Sequence, residues 1–166
     1  MTSLTLFFRL ILPIAFVAAS VCSSTRAAAQ GSPSYGQQLA QVYGTYQGLL
    51  ARKEACDEGV PATRAATDKS YTAWRTRHAR LIAELDDRLA GMIRGASKDD
   101  KEYVRNIGKY EGAMLQQRQE AKQALLEQAR DELQVLCQSL SRLLTSKDSD
   151  LEAVYAEELK SIRTRR

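Results

Sequence analysis

The stretch KDDKEYVRNIGKYEGAMLQQRQEAKQALLEQARDELQVLCQSLSRLL, residues 98–144, decides the fold. Along it Tyr103, Ile107, Tyr110, Met114, Ala121, Leu125, Ala129, Leu133, Leu136, Leu140 and Leu143 recur mainly at spacings of three and four. The seam is interrupted between Met114 and Ala121, where Gln117 and Arg118 stand. Lys101, Glu102, Arg105, Lys109, Glu120, Lys122, Glu127 and Arg130 occupy the positions between. An apolar seam of this period with a charged back predicts an amphipathic helix. Unbroken, it would extend about 70 Å at 1.5 Å per residue, long enough to be the central helix on which the others are laid.

The segments on either side predict three more helices. Upstream, Val60-Pro61 opens a helix to about Arg94, with Tyr71, Trp74, His78, Leu81, Leu85, Leu89 and Met92 as its apolar stripe. Gly95 ends it, and Ser97 is the expected N-cap of the long helix, ahead of an acidic first turn at Asp99 and Asp100. Before that, Ser32-Pro33 reads as a cap followed by proline, starting a first helix that runs to about Asp57 with Leu39, Val42, Tyr43, Tyr46, Leu49 and Leu50 on one side. Gly59 suits a left-handed residue closing that helix. Downstream, Ser149-Asp150-Leu151-Glu152 has capping-box spacing and introduces a last helix over Leu151–Ile162.

No strand pattern, repeat or low-complexity tract interrupts this series, and its short connections favour antiparallel neighbours. The expected fold is all-α: an antiparallel four-helix, up-down-up-down bundle, elongated where the central helix overhangs. Two pairs of glycines carry a choice. Gly44 and Gly48 either admit a close neighbour or leave the first helix mobile; Gly108 and Gly112 mark either a tight crossing or a kink.

Residues 1–29 read as a cleaved secretory signal peptide, and 30–166 as a single helical domain. Arg9 precedes an apolar run from Leu10 to Val21, and Ala27-Ala28-Ala29 before Gln30 is a small-residue cleavage site. A membrane anchor is the lesser alternative, because Arg9 and Pro13 shorten the run below the ~20 residues of a spanning helix. Cys22 fits a lipoprotein signal poorly, since Val21 before it is not small. Loss of Arg9 and Arg26 takes the 24 basic side chains to 22 against 20 acidic ones, a charge of +2. That near balance argues against nucleic acid as a partner. The expected location is periplasmic or secreted.

Export also decides the cysteines. Cys56 and Cys137 remain, an even pair in an oxidising compartment, and are expected to form one disulfide. In the two parallel members of an up-down-up-down bundle, the ends of the first and third helices lie together, which agrees with that pairing. The closed loop of about eighty residues corresponds to roughly 4 kcal/mol in the chain-entropy treatment.

Groupings that carry chemistry are scarce. His78 is the only histidine, so no paired-histidine metal site and no conventional triad with a second histidine is available. No covalent-haem CxxCH, glycine-rich phosphate loop, HExxH or GxSxG is present, and no motif ties the chain to a known family. Asp86-Asp87 and Asp99-Asp100 point about 100° apart on a helix and make no acid/base pair. No cofactor and no enzymatic activity are expected. The reading is of a small exported protein that binds a protein or cell-envelope partner, as an adaptor, inhibitor or chaperone-like factor. Its candidate contact residues are Trp74, Arg75, Arg77, His78 and Tyr110. The alternative is a bundle that holds a small molecule or metal around His78, or an enzyme built on the same site.

Overall fold

The computed structural model describes residues 33–164, so the expected signal peptide and Cys22 lie outside the described residues. Within them the protein is all-α. Seven helices lie among the described residues: α1 (Tyr35–Gly59), α2 (Arg64–Arg77), α3 (Ala79–Gly95), α4 (Asp100–Leu126), α5 (Arg130–Thr145), α6 (Leu151–Val154) and α7 (Ala156–Thr164). Short 3-10 turns at Pro61–Thr63 and Lys147–Ser149 join α1 to α2 and α5 to α6.

The hub is α1, which touches α2, α3, α4, α5 and α7. Leu39, Val42, Tyr46 and Leu49 enter the main core, while Ala51, Ala55 and Cys56 are buried as well. A helix covered on several sides need not show one clean apolar stripe, which is why this glycine-bearing segment looked modest in sequence. The expected central helix is instead peripheral over its first half. No residue of α4 is fully buried; Tyr103, Ile107, Tyr110 and Leu126 only lean on the core. Arg118, which interrupted the seam, faces α1, its Nε 3.5 Å from Glu54 and its Nη1 donating to Gln47 Oε1 at 3.3 Å.

The long helix is also broken. Leu126 ends α4, and Ala129 is extended at φ −56°, ψ 141° before α5 begins. Neither glycine nor proline causes this turn. Continued straight, the 16 residues of α5 would project about 24 Å beyond α4, leaving Leu133, Leu140 and Leu144 in water. Turning back instead buries all three against the other helices. Gly59 receives the corner: a Cβ there would stand 2.6 Å from Leu133 Cδ2 and 3.1 Å from Leu126 Cδ2. Gly59 thus lies within α1 as a close-packing position, and Val60 at φ −136° closes the helix in place of a left-handed glycine.

The Cys56–Cys137 disulfide is present, with Cα atoms 5.3 Å apart. Its geometry differs from the expected one. The ion pairs Glu54–Arg118 and Glu58–Lys122 show α1 and α4 running the same way. Cys137 sits on α5, which has turned back and runs against α1, so the cysteines meet beside the corner and not at the ends of parallel helices.

Four further boundaries are corrected. Ser34, not Ser32, caps α1: its Oγ accepts from Gln37 N–H while Gln37 Oε1 accepts from Ser34 N–H at 2.7 Å. Asp99, not Ser97, caps α4 through Glu102 N–H at 2.7 Å, and Ser97 Oγ donates to Ile93 O instead. The expected 61–94 and 151–162 helices are each interrupted, at His78 and at Tyr155. Lastly, a Cβ at Gly44, Gly48, Gly108 or Gly112 would meet nothing within 4 Å, so none of these glycines admits a tightly crossing helix.

Candidate functional site

Trp74, Arg77 and His78 stand at i, i+3 and i+4 on one face of the α2–α3 segment, and all three reach the stretch from Leu144 at the end of α5 to Leu151 at the start of α6. Trp74 is fully buried; its Nε1–H donates to Ser149 O at 2.7 Å. Arg77 Nη2 donates to Leu144 O at 3.0 Å, near the C-terminus of α5, where carbonyls lack helical partners. His78, only 2% exposed, places Nδ1 2.9 Å from Trp74 O, so that nitrogen carries the proton. Its Nε2 lies 3.3 Å from both the Leu151 N–H and Asp150 Oδ1.

The helix bends here for a local reason. Trp74 O accepts from the His78 backbone N–H and from the His78 ring together, and His78 relaxes to φ −96°, ψ 8°. Helical hydrogen bonding continues through the bend, Ile82 N–H donating to His78 O at 2.9 Å. Asp150 in turn caps α6, its Oδ1 accepting from Glu152 N–H at 3.1 Å. Partial burial pushes the Asp150 carboxyl up, but the adjacent His78 ring and hydrogen bonds from the Ala153 and Glu152 amides outweigh it and hold the group below the usual carboxylate range.

A row of rings extends inward from this latch. The Trp74 centroid lies 4.6 Å from His78, 6.1 Å from Tyr71 and 6.3 Å from Tyr46. Burial pushes the Tyr71 phenol up to about 12. Tyr71 also lies under the Lys53 ammonium, which bridges Asp57 at 2.5 Å and Asp68 at 2.6 Å. These are structural ties among α1 and α2.

Of the five candidate contact residues, the structure brings Trp74, Arg77 and His78 together, with Trp74 and His78 turned inward and Arg77 left exposed. Trp74 and His78 have no surface to offer a partner, and His78 has no ring nitrogen left over for a ligand. Arg75 is exposed on the far side of the same turn. Tyr110 belongs elsewhere: it is half-buried on α4, where burial and the Asp86 carboxylate raise its phenol, as they raise that of Tyr43 on α1. Among the described residues no three His, Cys, Asp or Glu side chains assemble into a metal-holding group. Ser149, Asp150 and Leu151 complete this cluster; the capping-box spacing points to Ser149 as the cap, whereas Asp150 caps α6, and its contact with His78 across 72 residues leaves no sequence signal.

The open surface lies along α1 and α4. There the bare glycines Gly44 and Gly48, with Met114 and Ala121, floor a groove of about 310 Å³, rimmed by Gln47 and Arg118. On α4, Val104 nearer the N-terminus and Leu115 next to Met114 are 66% and 50% exposed. No helix among the described residues is long and apolar enough to cross a membrane. In comparisons with family models, curated proteins and solved structures, nothing matches the chain.

Proposed function

We propose that this is an exported, disulfide-stapled helical protein that acts by binding a partner protein, and that the α1–α4 groove is the face it presents. The observation that carries this reading is the groove itself. Its floor is apolar, the Cβ positions of Gly44 and Gly48 are unfilled, and α4 beside it keeps Val104 and Leu115 in water. The occupant that fits a furrow between two helices running the same way is an amphipathic helix of the partner, with small apolar side chains seated over the glycines. Export is supported by the apolar leader sequence and by a disulfide of the kind that persists in oxidising compartments. The seven helices are read as four rods, α1, α2–α3, α4 and α5–α7, running up, down, up and down. Support for a non-enzymatic role comes from His78, the only histidine, whose ring is spent on structural hydrogen bonds.

A photo-crosslinking residue in place of Met114 tests the reading in the producing cells. One discrete adduct is expected, lost when Gly48→Leu fills the groove. No adduct, or the same adduct from a crosslinker on the far side at Arg75, would overturn it.

A further inference from the structure

His78 Nε2 has two partners of opposite kind at the same distance: the Leu151 N–H, which needs a lone pair, and Asp150 Oδ1, which needs a proton, each 3.3 Å away. With Nδ1–H committed to Trp74 O, the neutral ring can satisfy only the first. We propose that His78 is a proton-operated latch. Protonation at Nε2 transfers that nitrogen from the Leu151 amide to the Asp150 carboxylate and loosens α6 from the α2–α3 bend.

The steps follow from the hydrogen bonds. A proton on Nε2 sets two donors, Nε2–H and Leu151 N–H, against each other, so they separate. Leu151 is 1% exposed, so its amide finds no water in place of the ring. The oxygen that receives Nε2–H is the same Oδ1 that caps α6 through Glu152 and Ala153. Drawing it toward the imidazolium weakens the cap as well. The element released is short: α6 has four residues and ends at the irregular Tyr155, so little intrinsic helix stability resists its opening.

The surroundings supply one opposing charge. Asp150, from the turn before α6, is the one carboxylate among the described residues within ion-pair distance of His78. Arg77, its neighbour in α2, is a like charge turned to Leu144 O. From α1 the titratable group is Tyr46 and from α2 Tyr71, both behind the Trp74 ring. From the 3-10 turn, Lys147 and Asp148 are exposed. From α6 the ring meets the Leu151 amide, while the Glu152 side chain is exposed.

The protein contains one histidine and one tryptophan, whose rings are 4.6 Å apart, so Trp74 emission reports this site alone. Emission and amide exchange are followed from about pH 8 to about pH 5, the range in which histidine changes charge. The expected result is a single emission step in the wild type. Exchange at Leu151 and Ala153, corrected for the intrinsic effect of pH, rises on the order of tenfold, the size expected for one lost buried hydrogen bond. His78→Gln removes both changes. An emission step with no change at Leu151, or equal acceleration in His78→Gln, overturns the proposal. Should His78→Gln fail to fold, nitrogen NMR of the wild-type ring decides: the proposal requires Nε2 bare in alkaline solution, and a proton found there overturns it.

Discussion

α1 and α4 are nearly equal in length, 25 and 27 residues, and lie side by side running in the same direction, yet eight side chains of α1 are buried and none of α4. The sequence patterns rank them the other way. A clear stripe reports that a helix has one apolar face; it does not report how much of that face is covered. α1 carries four glycines and a diffuse pattern because neighbours cover it on several sides, so almost every turn contributes something to the core. α4 has the cleaner stripe and covers it only halfway, with Glu54, Glu58 and Gln47 of α1 meeting Arg118 and Lys122 where apolar contact runs out.

If this contrast is right, the staple matters through α1 and α5, not α4. Replacing both cysteines by serine should lower the unfolding free energy by about 4 kcal/mol in urea titrations, given the 81-residue separation. In the intact protein the bond should also resist reductant until denaturant is added, because Cys56 and Cys137 are both buried. Truncation separates the two helices next. Leu39→Ala, at a site 1% exposed on α1, should cost about 3 kcal/mol. Ile107→Ala, on the half-covered face of α4, should cost about 1 kcal/mol. Equal losses at the two positions would remove the distinction.

Glycines sharpen it further, with opposite signs. Gly59→Ala forces a Cβ against Leu133 at the chain's corner and should destabilise by about 1–2 kcal/mol. Gly108→Ala and Gly112→Ala, in open helical positions, should each stabilise by about 0.5–1 kcal/mol. Thermal melts of the three variants check the signs. The smallest expected effect lies on α3. The Arg163 guanidinium, with Arg88 assisting, outweighs partial burial and holds the Glu84 carboxyl below its ordinary value. A lowered folded-state value means the contribution is complete above the ordinary glutamate range, about 4.3, and fades as pH falls through the lower folded value. Arg163→Ala should therefore cost about 0.5 kcal/mol at neutral pH and nothing in strong acid, measured by urea unfolding at both.

Most helices and the disulfide were legible from residue types and spacing. Boundaries were not, and the misses have local causes. Ser34 and Gln37 form a capping box two residues beyond the Ser32-Pro33 pair that drew attention, and Asp99 outcompetes Ser97 because its carboxylate reaches the Glu102 amide directly. The turn at Glu127–Ala129 has no glycine or proline to announce it; it is imposed by what Leu133–Leu144 bury after turning back. His78 reads as a stripe position, and only the ring's bond to Trp74 O reveals a bend. An even cysteine count predicts the disulfide, but the two cysteines meet on oppositely running α1 and α5 and not at the ends of parallel helices. The candidate surface is inverted by burial at two positions: Trp74 and His78 are both buried, and the exposed groove lies over glycines, which leave no pattern of their own.

Native-state hydrogen exchange along α1 and α4 separates the hub from its periphery. Amides of α1 between Val42 and Cys56 should exchange only through global unfolding, with the full denaturant dependence of the protein. Amides of α4 between Val104 and Glu120 should exchange through a smaller opening, at lower free energy and with a shallower dependence on denaturant. Protection of α4 equal to that of α1 would contradict the account and restore the long helix to the centre of the fold.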